Sequence, residues 1–381
     1  GLSDRYPDAP PVTVQGILTH SSGLPRESDF AYWSAPYPFP TRAELMDRLS
    51  TQEELYPAFD RFQYSNLGLS LAGEIIAATT GVGYHDYMRS NVLEPLGMSS
   101  TYTEIPAEER GKKMAIGYTA QRRDGTRAEV ALFQARGIAP AAGYASTVLD
   151  LAKFASWQFR TLEGPGGEVL ARNTLAEMHR VHWLNPDWEL KWGLGFATWR
   201  VDDRTHVGHG GGCPGFITHF DVEPKGKIAT VFLSNANGTA SSMFTRRMHE
   251  IVGPAIRAAI ADAHGEPTSD AEDGVSGDPD GPADMDEAVD LGIYTGTYDA
   301  APWGGEQIIV PWQGGLAALS LPTMNPAAGL VKLKKSGEHT FRRVQSDGEL
   351  AEEWRFEIGE DGRASRVWVH SNFNTRVSGT P

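Results

Sequence analysis

The stretch "DAHGEPTSDAEDGVSGDPDGPADMDEAVD", Asp262 to Asp290, divides this chain. It carries eleven acidic residues, no Lys or Arg and no aromatic residue, and it is rich in Gly and Pro. Such a segment buries too little apolar surface to offset the entropy of ordering, so it reads as an exposed linker between two folded parts. The flanking pieces, 1–261 and 291–381, are each long enough to hold a core. The segment also explains the formal charge of −15, because the rest of the chain carries only about −4. That balance excludes a general nucleic-acid binder, which needs a basic face. No apolar run approaches the ~18 residues of a membrane span. A single cysteine, Cys213, excludes an internal disulfide and a cysteine-based metal cluster. It does not decide the compartment, although the lack of a basic start and an apolar h-region leans slightly towards the cytoplasm.

Before the linker, helix and strand signals mix. Leu67, Leu71, Ile75 and Ala78 fall at helical spacing, with Gly81 as a stop. A second helix is expected in "STVLDLAKFASWQF", where Thr147 and Asp150 form a capping-box pattern and Leu151, Phe154, Ala155 and Phe159 form a stripe. Two hairpins follow, turning at Asp202-Asp203 and at Pro224-Lys225-Gly226. An α+β domain is therefore expected. After the linker, about eight short strand candidates separated by Gly or Pro predict a small antiparallel barrel or sandwich.

Common nucleophile and metal patterns are missing. "GLSLA" at Gly68 to Ala72 lies inside the expected helix and is not a nucleophile elbow, and neither a P-loop nor an H-E-x-x-H motif occurs. His179 and His182 read as ordinary helix-borne histidines, so no metal and no organic cofactor are expected.

What remains is a set of motifs in fixed order: "VTVQGILTHSSGLP" from Val12, "YSN" at 64–66, "EPLGMSSTY" from Glu94, "AAGYASTVLDLAKF" from Ala141 and "HVGHGGGCPGF" from His206. This order resembles the serine β-lactamase and penicillin-binding-protein-like hydrolases, including their esterase and D-aminopeptidase branches. The resemblance covers about 1–260 and implies the β-lactamase/transpeptidase-like fold. "GIYTGTYD" and the strands after it resemble the lipocalin-like barrel attached to some members, which would shape the entrance to the site.

Residue by residue, Tyr64-Ser65-Asn66 matches the family's Tyr-x-Asn motif. Tyr64 would exchange protons with a serine nucleophile and the leaving group, helped by cations that favour phenolate. Asn66 would orient the family's lysine and the substrate amide. His209-Gly210-Gly211, followed by Gly212, stands in the third motif, where β-lactamases carry Lys-Thr-Gly. His209 would share Tyr64's proton traffic, while Gly211 and Gly212 would line the substrate and oxyanion position. Histidine in place of a permanent cation disfavours a lactam carrying a carboxylate, and favours an ester or a peptide with D-configured residues. The implied reaction is acyl-enzyme hydrolysis; peptide cyclisation or lactam hydrolysis on the same fold are the alternatives.

One departure limits the resemblance. No Ser-x-x-Lys occurs in the 381 residues, and Ser21 and Ser22 have no adjacent lysine. The expectation is that the nucleophile lies in a preceding segment or on a companion fragment; the competing expectation is a binding protein without a nucleophile.

Overall fold

The computed structural model describes residues 5–201, 203–264, 290–323, 326, 329–344 and 350–377. Nearly all of the acidic stretch, 265–289, lies outside the described residues.

In chain order the first part contains α1 (Val14–Leu18), α2 (Arg42–Arg48), α3 (Asn66–Thr80), α4 (Tyr84–Met88), α5 (Ala139–Ala142), α6 (Val148–Glu163) and α7 (Arg172–His179). Six strands follow, β1 (Trp183–Leu184), β2 (Lys191–Trp192), β3 (Ala197–Val201), β4 (Arg204–Cys213), β5 (Phe216–Glu223) and β6 (Ile228–Ser234), and then α8 (Ser241–His264). The strands form one antiparallel sheet in sequential order, so both expected hairpins are present. Val207 and Val222 of the sheet pack with Phe196, against Phe159 of α6 and Met178 of α7. Helix α8 runs three residues past the linker boundary expected at Asp262.

Capping explains where the helices begin. Ser65 caps α3 by accepting from the Gly68 N–H, and Gly81, at φ 72°, ends the helix in the left-handed conformation that suits glycine. Thr147 caps α6 in the same way, by accepting from the Asp150 N–H. The Asp150 carboxylate does not complete the box. It instead accepts from the Ser100 N–H (2.7 Å), the Thr101 hydroxyl (3.0 Å) and Lys153 (2.8 Å), tying the helix to the preceding loop.

Helix α3 forms as the spacing predicts, and Leu67 and Leu71 pack on the core, but further along the buried side turns to Ser70 and Gly73. Ile75 and Ala78 are exposed, whereas Asn66, Leu67, Ser70 and Gly73 are buried. The cause is a close approach of α5, since a Cβ at Gly73 would stand 2.8 Å from Pro140 Cβ and closer still to its Cγ. Beneath the helix start, Tyr32, Trp33, Phe39, Leu45, Leu67, Phe133 and Ile138 form an aromatic-rich core.

In the second part, eight strands close into an antiparallel barrel: β7 (Gly296–Asp299), β8 (Glu306–Trp312), β9 (Gly315–Leu321), β10 (Leu330–Lys335), β11 (Thr340–Val344), β12 (Leu350–Ile358), β13 (Ala364–Val369) and β14 (Asn372–Arg376). Pairing of β14 with β7 completes the closure. Tyr294, Tyr298, Ile309, Leu316, Phe341, Trp354, Phe356 and Val367 fill its interior. Full closure removes the free edges that an open sheet would expose.

The β7–β8 connection, 300–305, meets the first part. The Pro302 carbonyl accepts from the Ala120 N–H (3.2 Å), and Trp303 Nε1 donates to the Trp33 carbonyl (3.4 Å). The two tryptophan rings lie 5.5 Å apart at 66°. From β14, the strand next to β7, the Phe373 N–H donates to Ser34 Oγ (3.3 Å). Among the described residues, no helix is long and apolar enough to cross a membrane.

The Gly73–Pro140 contact gives a direct test. Gly73→Ala should lower unfolding free energy by about 1–3 kcal/mol through overpacking, despite alanine's better helix propensity. Urea denaturation would measure it; an unchanged or raised midpoint would show that α5 does not press on α3.

Candidate active site

The Tyr64-Ser65-Asn66 triplet is stitched to residues 20–27 by hydrogen bonds. The Ser65 N–H donates to His20 Nδ1 (3.1 Å), the Ser65 hydroxyl donates to the Pro25 carbonyl (2.7 Å), and the Asn66 N–H donates to the Arg26 carbonyl (2.8 Å). With Ser65 fully buried as the cap, its neighbours diverge. Tyr64 turns towards the sheet and Asn66 turns inwards.

The Tyr64 hydroxyl lies 3.5 Å from His209 Nε2 on β4. His209 Nδ1 is hydrogen-bonded to the Gly210 carbonyl, which can only accept, so Nδ1 carries the ring proton. Burial pulls the His209 pKa below its ordinary value, only partly opposed by that bond. The neutral ring therefore turns a bare Nε2 towards Tyr64, and the phenol donates to it. His20 lies under the Tyr64 ring, 4.0 Å between centroids, and Trp192 stands edge-on to both histidines, at 5.0 Å from His20 and 5.3 Å from His209. Burial takes His20 down to about 3, with His209 and Arg26 pushing the same way, so it too is neutral.

The tyrosine is a phenol and not a phenolate in this setting. Burial raises its pKa, and the opposing influence of Arg26, whose guanidinium lies 4.9 Å over the ring, is smaller. With the residues present, Tyr64 is a neutral hydroxyl with an acceptor beside it; the lysine that the resemblance implies as its cation is not among the 381 residues.

Asn66 donates its Nδ2 to Glu27 Oε1 (2.6 Å), which fixes the direction of its amide oxygen. Glu27 is buried and also accepts from the Tyr32 hydroxyl, while Arg26 lies 3.5 Å away. Burial raises the Glu27 pKa against the pull of Arg26 and its hydrogen-bond donors. Sequence reasoning missed Glu27, because its partner is 39 residues away and nothing in "LPRESDF" marks an acid for burial.

The glycines of β4 separate by strand geometry. β4 joins its neighbours through two-residue connections, with Val201 opposite Arg204 and Cys213 opposite Phe216. Residues flanking such a connection are hydrogen-bonded to each other, and the direction then alternates along the strand. Cys213, Gly211 and His209 thus pair with β5, whereas Gly212 and Gly210 direct their N–H groups the other way. β3 stops pairing at Gly208, so this edge of Gly210–Gly212 is open. Gly211, expected to share the oxyanion role with Gly212, has its N–H committed to the sheet. Trp303 of the barrel lies beside this end of β4, its Cζ3 3.6 Å from where a Cβ on Gly212 would stand.

The hydroxyl and thiol groups nearby are poor nucleophiles. Ser21 and Ser22 are buried, Ser21 against the Thr19 hydroxyl at 2.7 Å. Burial pushes the Cys213 thiol up to about 12. His179 and His182 are engaged separately, by Gln158 Oε1 (3.0 Å) and the Glu177 carbonyl (2.9 Å).

Comparison with known proteins fits this arrangement. The Unguisins hydrolase ungD' of Aspergillus campestris is 27% identical over 240 residues, which is 61% of this chain and 44% of that protein. The chain spans about half the length of the curated relatives it matches. The octameric penicillin-binding protein homologue from Pyrococcus abyssi shares the fold across 94% of this chain and 76% of its own, with a TM-score of 0.54 and 21% identity. The D-amino acid amidase from Ochrobactrum anthropi SV3 is 26% identical at a TM-score of 0.50, covering 66% of this chain and 71% of its own. The family described as Beta-lactamase matches residues 3–254. That match takes in Tyr64, Asn66, His209 and the residues that hold them, and the chain belongs to the Beta-lactamase family of serine hydrolases.

Proposed function

We propose that this chain builds most of the site of an acyl-enzyme hydrolase acting on esters or amides, with peptides containing D-configured residues as the substrate class. The observation that carries the reading is the Tyr64 hydroxyl facing the bare Nε2 of His209 beside the open edge of β4. The nucleophile in this proposal is a serine of a Ser-x-x-Lys motif outside the 381 residues.

The serine oxygen bonds to the carbonyl carbon as its proton passes to the Tyr64 oxygen, while the Tyr64 proton moves to His209 Nε2. The carbonyl π pair becomes an oxyanion, which the Gly212 N–H receives. Collapse of this intermediate expels the alcohol or amine, and the proton on His209 returns through Tyr64 to the leaving group. Water then repeats the sequence on the acyl-enzyme and frees the acid. Tyr64 and His209 are both uncharged between turnovers, which suits a buried pair. A neutral His209 also offers no fixed partner to a lactam carboxylate, which favours uncharged acyl groups. The D-configured class takes support from the relative that is an amidase of D-amino acids.

Intact mass spectrometry with a fluorophosphonate or penicillin probe tests the nucleophile. One adduct per molecule, on a serine preceding Gly1 or on a companion chain, is expected; an unmodified protein would replace this reading with that of a binding protein. Tyr64→Phe should lower kcat/KM on the order of 10²- to 10⁴-fold, because the relay loses its bridging hydroxyl. Since His209 must be neutral to accept, activity disappears as pH falls through its pKa. The acid limb of kcat/KM should therefore lie below about pH 6.5, the ordinary histidine value; a limb at or above that value would remove His209 from the relay. Trp303→Ala should raise KM about tenfold and change kcat little, if the barrel contributes uniform binding at the open edge.

A further inference from the structure

On the other side of the sheet a second polar cluster is buried, and the proposed hydrolysis has no use for it. His206 of β4, Glu223 of β5 and His249 of α8 are each at least nine-tenths buried. His206 lies three residues from His209 on one strand, so the two side chains project from opposite faces. His206 Nδ1 donates to Asp221 Oδ1 (2.7 Å), and His249 Nε2 donates to Glu223 Oε2 (2.7 Å). The remaining nitrogens, His206 Nε2 and His249 Nδ1, are buried without a hydrogen-bond partner. The rings meet edge to face at 4.6 Å.

We propose that His206, His249 and Glu223 bind one divalent transition-metal ion of the zinc class, which staples β4 and β5 to α8. One ligand atom from each of the three residues lies within 4.8 Å of the others. Neighbouring donors on a tetrahedral zinc are about 3.3 Å apart, a difference that side-chain rotation closes. Two imidazoles and a carboxylate form a donor set that zinc accepts, and water completes the coordination. The Asp221 carboxylate on the far nitrogen of His206 sets the tautomer that leaves Nε2 bare, as outer carboxylates do for metal-ligating histidines. For His249 and Glu223 to share the ion, His249 gives up the Nε2 proton that faces Glu223, and the ion takes its place, while the bare His206 Nε2 gains a partner.

Charge defines how the site fills. Asp221 and Glu223 formally carry two negative charges. Arg257 Nη1 lies 3.0 Å from Glu223 Oε2, and Arg204 Nε lies 4.0 Å from it. Both arginine side chains are partly exposed, at 27% and 31%, so each has a path to solvent. A dication replaces two monovalent cations with no change in net charge. The arginines thus compete with the metal for Glu223.

Dialysis of the full chain against chelator, followed by titration with Co²⁺ and Zn²⁺, tests this. Expected are one equivalent of Co²⁺ with the visible absorption of a tetrahedral nitrogen/oxygen site, a rise in Tm with Zn²⁺, and loss of both in His206→Gln and His249→Gln. Arg257→Met should tighten Zn²⁺ binding roughly fivefold, since removing one competing ion pair is worth about 1 kcal/mol; this readout does not depend on the histidine variants folding. Substoichiometric binding by the unsubstituted chain, or an absorption band that survives in the double histidine variant, would overturn the proposal.

Discussion

Ser65 holds the candidate site together. It is fully buried, and all its polar groups near the helix start are used: the N–H on His20, the hydroxyl donating to Pro25 and accepting from Gly68. A helix cap is worth about 1 kcal/mol. Here the same atoms also set the height of α3 against the 20–27 loop and the tautomer of His20. Because Tyr64 and Asn66 are its chain neighbours, any shift of the cap moves both, one relative to the sheet and the other relative to Glu27. The distance between Tyr64 and His209 is thus a consequence of where a helix begins.

The legible parts of this fold were those written over short distances. The hairpins β3–β4 and β5–β6, the Thr147 cap of α6 and the short strands of the barrel all follow from residues close to one another in sequence. The order of motifs placed Tyr64, Asn66 and His209 together, although 145 residues separate the tyrosine from the histidine. Other features depend on partners the local pattern does not name. The turn of α3's buried side to Gly73 follows from Pro140 pressing there, which the leucine–isoleucine spacing does not name. Glu27 reads as a surface acid until Asn66 and Tyr32 are seen around it, and Trp303 reads as a loop aromatic until the barrel is seated. His249 sits on the last helix, without spacing to connect it with His206; the histidine pair that did stand out, His179 and His182, serves two unrelated hydrogen bonds.

β4 carries two polar systems that do not communicate through side chains. On one face His209 is neutral, with its proton on Nδ1 and Nε2 turned to a phenol. On the other, His206 has its proton held by a carboxylate and Nε2 turned inwards. In both, an acceptor bound at one nitrogen decides what the other can do. The strand keeps the two apart because alternate side chains leave by opposite faces, and it does so over four residues. The same alternation selects Gly212 over Gly211 as the backbone donor at the open edge.

The closed barrel links the end of the chain to the cleft. β7 is held in register by β8 on one side and by β14 on the other, and the connection that carries Trp303 departs from β7. Loss of the last strand would leave β7 paired on one side only and free the 300–305 connection from its footing. A change in β14 would thus be transmitted through β7 to Trp303 and to the Trp33 carbonyl it meets.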